Sequence, residues 1–386
     1  MSDIIYLDHN STTPLDQGVL EAMIPFFTDC FGNPSSSEHL HGNQALAAVK
    51  QARKEIAELV GVRSSEVFFT SGSTESNNAV VFGVAAGHGH PGHVVSVVTE
   101  HSSVLEPMRS LERRGWDVTL LPVGADGTLD AALLEKSIRP DTALISVMAA
   151  NNETGVLHDL AEVAEVGSSR GIPVHSDMTQ VFGHVAVDMS SRTPIAFASF
   201  SAHKIYGPKG VGVLVARRNA RLPKLEPMLF GGGQQGGLRP GTVNTPGVVG
   251  MAAAMQLADR LRPSETVRLR ELRNGLIAAL TDGFPGLQLN GSMESRLPGN
   301  VNVWLPGVEA RALCAQVRGV CSISSGSACH SDKTEPSHVL MGMGLGEERS
   351  FQSIRIGIGR GTTEEQLAVG AKAIVTEAQR LAALAR

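Results

Sequence analysis

Short apolar runs alternate with helical patterns through the middle of this chain, and this alternation most constrains its fold. The apolar runs are EVFFTSG, HVVSVVTE, DVTLLPV, TALISVMAA, IPVHSD and IAFASFSAH. Nearly continuous runs of this length are typical of strands that are buried on both faces of a mainly parallel sheet. Helical patterns, such as residues 160–170, lie between several of them. The sequence therefore predicts an α/β fold with helices on both faces of the sheet.

The pattern changes after the glycine-rich segment GGGQQGGLRPGTVNTPG. Residues 248–282 predict one or two long helices, and strand-like runs such as NVNVWLP then mix with helices. A chain of 386 residues is long enough for two domains. We expect a large domain over residues 16–259 and a smaller α+β domain over residues 1–15 and 260–386. The alternative for residues 1–15 is that they pack against a partner subunit.

The composition argues against several classes of protein. Charged residues make up 18% of the chain, the net charge is −5, and no basic block predicts direct binding to nucleic acid. The start, MSDIIYLDHNSTTP, has no basic segment followed by an apolar stretch, so we expect no signal peptide. The longest apolar runs are too short to cross a bilayer. We therefore expect a cytoplasmic protein that does not bind membranes.

Polar residues that suit one cofactor follow three of the predicted strands. Lys204 comes after a strand and the turn Ser-Ala-His, where a desolvated amine can form a Schiff base with an aldehyde. Asp177 ends IPVHSD and can keep a pyridinium nitrogen protonated, and Gln180 can donate to the ring hydroxyl. The turn TSGSTESNN places Ser73 and Thr74 at a helix start, whose free N–H groups can hold a phosphate.

Each of these features alone has an ordinary explanation. Most lysines are solvated, an aspartate after a strand can cap a helix, and a serine–threonine turn is a common helix start. Together they provide an amine for an aldehyde, a carboxylate for a ring nitrogen and a phosphate cradle. That combination predicts pyridoxal 5'-phosphate as the cofactor.

Longer strings extend this interpretation to the whole chain. They are YLDHNSTTP, GNPSS, TSGSTESNN, TEHSSV, ANNETG, HSDMTQ, SAHKIYGPKG, RPGT, LPGNVNV, SSGSAC and SIRIGIGR. The chain resembles the class V aminotransferase family of fold-type I pyridoxal-phosphate enzymes, and within it the cysteine desulfurases of the iron–sulfur assembly type. The resemblance implies a large, mainly parallel-sheet domain with a smaller α+β domain. It also implies conversion of L-cysteine to L-alanine, with the sulfur passed to an acceptor.

The resemblance implies roles for individual residues. Lys204 would carry the cofactor and move the substrate's α-proton, and His101 would stack on the ring as acid or base. Asn152 would contact the ring hydroxyl region and the substrate carboxylate, which Arg355 would bind with both arms of its guanidinium group. Asp177 and Gln180 would hold the ring, as their positions already suggest. The phosphate would be bound by Ser73, Thr74, Ser201 and His203 and, from the second subunit of a homodimer, by Thr242.

Cys329 is the candidate sulfur acceptor. It lies in SSGSACHS, where small residues flank a single thiol with a histidine beside it. A mobile loop of this kind would let the thiolate reach the sulfur of the substrate and carry it away as a persulfide. The other cysteines, Cys30, Cys314 and Cys321, are expected to be reduced and inert, since no C-x-x-C pair is present.

Other functions stay open at this point. Selenocysteine lyase would share the fold and cofactor, and CHSDKTEPSHVL resembles that enzyme as well. A transaminase or β-lyase would use Lys204 without Cys329, and a non-catalytic subunit would have kept only the fold. The sulfur acceptor is open too, between an iron–sulfur scaffold, a tRNA-thiolating enzyme and a DNA-phosphorothioating complex.

Some segments depart from the family pattern or suggest another site. Gln235 and Gly236 stand where a glutamate and an arginine are usual, which puts the contacts of that loop in question. Met178 replaces a smaller residue, and we expect its thioether near the cofactor ring. The histidines of GHGHPGH resemble metal ligands, but the Gly/Pro spacing imposes no coordination geometry. We expect a surface loop there and no metal.

Overall fold

The computed structural model describes residues 4–190, 194–218, 224–326 and 335–384. Its strands are β1 Ile5–Tyr6, β2 Val67–Thr70, β3 His93–Val97, β4 Asp117–Leu121, β5 Thr142–Ser146, β6 Val174–Asp177, β7 Phe197–Ser201, β8 Gly212–Ala216, β9 Gln288–Leu289, β10 Asn300–Trp304, β11 Cys321–Ser322 and β12 Ser353–Gly357. Its α-helices are α1 Gln17–Met23, α2 Pro25–Thr28, α3 Leu40–Val60, α4 Ser73–His88, α5 Ser102–Glu112, α6 Ala131–Ser137, α7 Leu160–Arg170, α8 Thr245–Gly283, α9 Ala310–Val317, α10 His338–Gly342, α11 Glu347–Phe351 and α12 Glu364–Leu384. Short 3-10 turns occur at Ser64–Glu66, Ala202–Lys204 and Gln234–Gly237.

The central sheet has seven strands in the order β2-β8-β7-β6-β5-β3-β4. Strands β4, β3, β5, β6 and β7 pair in parallel, while β8 is antiparallel to both of its neighbours. All six predicted runs form strands of this sheet. The prediction of an α/β fold with a mainly parallel sheet is therefore confirmed.

Helices cover both faces of this sheet, as the alternation of apolar runs predicted. Helices α4 and α5 pack on one face, against side chains such as Phe68 and Val94. Helices α3 and α7 and the first half of α8 pack on the other face, against their chain neighbours Phe69 and Val95. Since successive side chains of a strand point to opposite faces, a strand that contributes to both apolar layers needs apolar residues at most of its positions.

Local capping sets the helix ends that the pattern located. Helix α7 begins after Asp159, whose carboxylate accepts the N–H groups of Ala161 and Glu162, and it ends at Gly171 with φ 69°. A carboxylate satisfies free N–H groups at a helix start, and glycine adopts the left-handed conformation that ends a helix. These signals explain why residues 160–170 match the predicted helix.

A second apolar core surrounds the three-stranded sheet β12-β10-β9. Helices α9 and α12 and the second half of α8 contribute to it, and so do Ile5 and Leu7 near the start of the chain. Helix α8 thus links the two cores, with Met251 in the first and Leu276 in the second. The predicted boundary between residues 259 and 260 falls inside this helix, and the division into two domains stays a prediction.

In the described ranges, no helix combines the length and the apolar character needed to cross a membrane.

Leu280 tests the second core. Its side chain is fully buried in α8, so Leu280→Ala should lower the free energy of unfolding by about 2–5 kcal/mol through lost burial and a cavity. Leu384→Ala removes the same atoms from a side chain that is 72% exposed, and it should change the free energy by about 0.5 kcal/mol or less. Urea denaturation measures both, and equal losses would contradict the assignment of Leu280 to a packed core.

Candidate active site

The carboxyl ends of β2, β3, β5, β6 and β7 meet at one edge of the central sheet, beside a cavity of about 230 Å³. Loops at carboxyl strand ends are where open α/β sheets place their ligands. Most of the predicted site residues line this cavity: Ser73, Thr74, His101, Asn152, Asp177, Gln180, His203, Lys204 and Arg355. Residues from widely separated parts of the sequence thus converge on one site.

Lys204 ends the 3-10 turn that follows β7. Its ammonium group donates to the backbone carbonyls of Asn10 and Ser11, at 2.7 and 2.5 Å. Gln180 joins the same segment, since its amide nitrogen donates to the carbonyl of Asn10 at 3.0 Å. The stretch between β1 and α1 therefore sets the position of the lysine amine.

Asp177 ends β6 and is buried. One carboxylate oxygen accepts the side-chain amide of Asn77 at 2.7 Å, and the other accepts the N–H of Thr179 at 2.9 Å. The second contact resembles the N-cap that an aspartate can form, but no α-helix follows it. The carboxylate is thus held in a fixed orientation at the cavity wall.

His101 is the last residue of the loop between β3 and α5, and its side chain caps the start of α5. Its Nδ1 accepts the N–H of Ser103 at 3.1 Å, so in the neutral ring the proton lies on Nε2. Burial lowers the pKa of His101 below its usual value, an effect that the charge of Asp177 opposes and that of Lys204 reinforces. A neutral ring at pH 7 suits stacking and proton transfer.

The buried carboxyl of Glu100 lies next to this histidine in sequence. Burial and then the charge of Asp177 raise the pKa of Glu100 well above its usual value. One of its oxygens accepts the N–H of Met148, and among the described residues the other has no hydrogen-bond partner. The raised pKa favours the neutral form of Glu100, which adds less negative charge beside Asp177 than a carboxylate would.

Arg355, in β12, is 2% exposed. Its Nη2 pairs with Asp8 at 2.8 Å and donates to Ser11, and its Nη1 donates to the carbonyl of Asn152 at 3.0 Å. In the part of the chain that the structure describes, its buried Nε has no acceptor. A guanidinium group fixed in this way can bind a carboxylate group in the cavity.

The start of α4 contributes the predicted phosphate cradle. Ser73 and Thr74 are the first residues of this helix, and Gly72 precedes them with φ 152°. A Cβ at Gly72 would lie 3.8 Å from the hydroxyl of Ser201, so the turn after β2 approaches the end of β7. His203 completes this corner, and burial, followed by the charges of Lys204 and Lys209, lowers its pKa to about 4.

Three predicted residues are not part of the cavity wall that the structure describes. Ser201 is buried at the end of β7 but does not line the cavity. Thr242 is exposed and does not line it either. Cys329 lies outside the described residues.

Of the remaining cysteines, Cys314 and Cys321 have pKa values raised to about 12 and about 11, mainly by burial, which keeps them as thiols at neutral pH.

Sequence reasoning missed several residues that hold the site. Asn10 and Ser11 bind the amine of Lys204, Asp8 pairs with Arg355, and Asn77 orients Asp177. All four stand in strings that resemble the family, YLDHNSTTP and TSGSTESNN. The signal was present, but nothing in a local pattern shows which distant side chain each residue meets.

The departure at Gln235 has a structural role of its own. Its side-chain amide binds the N–H and the carbonyl of Phe69, at 2.7 and 2.8 Å, along the edge strand β2. Its backbone has φ 51°, an uncommon value for a residue other than glycine. This glutamine therefore connects the glycine-rich loop to the sheet. Its amide oxygen accepts one of the two hydrogen bonds and its amide nitrogen donates the other.

Two other expectations were wrong. Met178 packs in the large core and does not line the cavity, because the chain turns after Asp177 and presents Thr179 instead. His93 belongs to β3, where it is fully buried and binds Thr142 and Thr119 at 2.8 Å. Of the three histidines, only His90 lies in the loop, because His88 is the last residue of α4.

The pair between Asp8 and Arg355 allows a matched test. Asp8→Ala leaves a buried guanidinium group without its carboxylate, which should lower the free energy of unfolding by about 3 kcal/mol. Asp117 pairs with Arg139 at 2.7 Å, but the two side chains are 69% and 40% exposed. Asp117→Ala should therefore cost less than about 1 kcal/mol. Urea denaturation compares them, and similar losses would show that the charge of Asp8 does not stabilise Arg355.

Comparisons with known proteins show which family this chain is similar to. The family Aminotransferase class-V matches residues 5–369. Cysteine desulfurase IscS of Anaeromyxobacter dehalogenans is 46% identical over 94% of this chain and 89% of that protein. A solved NifS-like protein superposes with a TM-score of 0.90 at 33% identity, over 98% of this chain and all of the other. SspA in complex with cysteine superposes with a TM-score of 0.78 at 34% identity, over 92% of this chain and 98% of the other.

A match of this extent leaves no large segment of the fold unexplained. The family match covers every strand that contributes a residue to the cavity, all of the first apolar core, and all buried residues of the second core except Ala371, Ile374 and Ala378. The chain belongs to the aminotransferase class-V family and, within it, to the cysteine desulfurases.

Proposed function

We propose that this protein is a pyridoxal-phosphate-dependent cysteine desulfurase that converts L-cysteine to L-alanine and passes on the sulfur. The observation that carries the proposal is the convergence of Lys204, Asp177 and Arg355 on one cavity at the carboxyl edge of the sheet. An amine, an acid for a ring nitrogen and a cation for a carboxylate are the groups this reaction needs. The names of the relatives support the same activity.

The residues of the cavity fit the cofactor. The amine of Lys204 and the carboxylate of Asp177 are held by fixed hydrogen bonds. The start of α4 offers backbone N–H groups and a helix dipole for the phosphate. Thr179 also lines the cavity and, within the described ranges, its hydroxyl oxygen is buried without a hydrogen-bond partner. A ligand with polar edges would satisfy it.

Pyridoxal phosphate, when bound, supplies an electron sink for the α-carbon of the substrate. The residues of the chain position the substrate and transfer its protons. Arg355 binds the carboxylate of cysteine, with Asn152 beside it, and this directs the Cα–H bond toward Lys204. Lys204 removes and later returns the proton. His101, which lines the cavity with Nδ1 as an acceptor, would lie against the ring and offer the proton on Nε2.

Cys329 takes the sulfur in this proposal. Its thiolate attacks the sulfur of the substrate, a sulfur–sulfur bond forms, and the carbon–sulfur bond breaks. The electron pair stays with the carbon, which takes up a proton to become the methyl group of alanine. Cysteine and one thiol give alanine and one persulfide, so no external oxidant is needed. A sulfur-accepting protein, or a thiol reductant in vitro, then removes the outer sulfur.

The direct test measures alanine and sulfide released from L-cysteine in the presence of a thiol reductant. Wild type should release both, Lys204→Ala should release neither, and Cys329→Ala should keep the cofactor absorbance but lose about 10²-fold or more in rate. Cys30→Ala is the matched control, since this cysteine lies apart from the cavity, and its rate should be unchanged.

Two results of this assay would contradict the proposal, and each would indicate a different function. Full activity of Cys329→Ala would leave the cofactor assignment intact and remove the persulfide step. A protein that binds the cofactor, ignores cysteine and turns over selenocysteine would be a selenocysteine lyase.

We also propose a homodimer in which Thr242 acts at the site of the other subunit. Three exposed phenylalanines support an interface: Phe27, Phe31 and Phe230 are 61%, 66% and 89% exposed. A dimer interface over these side chains would remove their apolar surface from water. Thr242 follows Phe230 in the segment that precedes α8, and it is exposed as well.

Mixing two inactive variants tests the sharing of residues. A dimer of one Lys204→Ala chain and one Thr242→Val chain contains one site with both native residues if Thr242 acts across the interface. Refolding the two variants together should then restore activity, to about one quarter of wild type for random pairing of the chains. If Thr242 acts within its own chain, no intact site forms and the mixture stays as inactive as its components.

A further inference from the structure

The turn that carries Lys204 contains an unusual backbone conformation. Tyr206 has φ 65°, and among the described residues only Gln235 shares a positive φ without being glycine. A bulky side chain in this region crowds the backbone, so the conformation persists only when surrounding contacts impose it. Tyr206 follows Lys204 by two residues and is buried. The conformation of the turn determines the direction in which the lysine side chain leaves the backbone.

Thr13 makes the contacts that span this turn. Its hydroxyl donates to the carbonyl of His203 at 3.0 Å and accepts the N–H of Tyr206 at 2.8 Å. Its own N–H donates to the same His203 carbonyl at 2.9 Å. One threonine thus joins the residue before Lys204 to the strained residue after it. The side chain is 4% exposed, so water does not offer these groups an equivalent partner.

Contacts beyond Thr13 hold Tyr206 from its other sides. The N–H of Asp16 donates to the carbonyl of Tyr206 at 3.0 Å. The phenol oxygen accepts the N–H of Arg360, and the guanidinium group of Arg360 lies 4.2 Å from the centre of the tyrosine ring. Arg360 is fixed in turn by Asp16 and Glu265. The ring is therefore anchored. The hydroxyl of Thr13 joins Tyr206 to His203, in addition to the turn's own bonds from the N–H groups of Ile205 and Gly207 to the carbonyl of Ala202.

We propose that Thr13 is a positioning residue for Lys204: its hydroxyl holds Tyr206 in the left-handed conformation and so aims the lysine amine at the reacting centre. The same stretch binds the amine through the carbonyls of Asn10 and Ser11. Residues 10–16 therefore act as a template for both ends of the lysine side chain. The catalytic consequence rests on the function proposed above for Lys204, whereas the effect on the turn does not.

Thr13→Val tests this with nearly the same side-chain volume and no hydroxyl. The Tyr206 N–H loses its acceptor, so its hydrogen exchange should speed up by about fivefold or more. Mass spectrometry of the full-length protein measures this exchange on peptides that cover residues 202–207. The kcat for cysteine should fall by about 10- to 100-fold because the amine is misplaced, with KM changed by less than about threefold because Arg355 still binds the substrate. Thr13→Ser keeps the hydroxyl and should restore both the exchange rate and kcat.

Thr142→Val is the matched control. Thr142 is a buried threonine whose hydroxyl also accepts a backbone N–H, that of Arg139 at 2.8 Å, but it lies at the opposite edge of the sheet. This variant should leave exchange in residues 202–207 and kcat unchanged. A loss of kcat as large as that of Thr13→Val would show a general loss of stability and overturn the proposal.

Two further outcomes would also overturn it. If Thr13→Val leaves hydrogen exchange of the turn unchanged, the hydroxyl does not hold Tyr206. If exchange speeds up while kcat stays at the wild-type value, the turn does not aim the lysine. The exchange experiment needs no turnover, so failure of the desulfurase proposal would be recognised separately by the alanine and sulfide assay.

If Thr13→Val does not fold, a second pair of variants tests the same idea. Tyr206→Gly removes the strain at this position, and in that background Thr13→Ala should lower kcat less than it does in the wild type.

Discussion

The common direction of the buried strands is the constraint on which the rest of this structure depends. Because β2, β3, β5, β6 and β7 run the same way, their carboxyl ends meet at one edge, and each loop there delivers a polar group to the same cavity. A strand of opposite direction would carry its polar residue to the far edge of the sheet. Strand β8 does run the other way, and in the described part of the chain it contributes no residue to the cavity wall.

The chain concentrates its fixed charges where the apolar layers end. Asp177 is oriented by Asn77 from α4, and Arg355 is oriented by Asp8 from the segment after β1. The side chain of each charged residue is thus held by a residue from a different element of the fold. Since a buried charge without partners is costly, the same hydrogen bonds that stabilise the fold also prearrange the site.

The elements that local patterns encode could be predicted, and those that depend on tertiary contacts could not. The six apolar runs and helix α7 carry their own signals in hydrophobic continuity and in caps. Strand β8 was missed although its Val-Leu-Val core is apolar, since it directly follows the glycines and lysines of the preceding loop. Asp8 meets Arg355 across 347 positions, and no local spacing encodes such a contact.

The same distinction explains why most residues that line the cavity could be named from the sequence, while the residues that support them could not. Lys204 and Asp177 stand directly at strand ends, where chemistry can be inferred from position alone. Thr13 and Tyr206 are adjacent in space only because the segment before α1 crosses the end of β7, and the positive φ of Tyr206 has no signature in its side chain. A residue that acts by imposing a backbone conformation on another can therefore be found only once the two are seen together. For this reason the template of residues 10–16 had to come from the structure, while the lysine it aims could be named from the sequence.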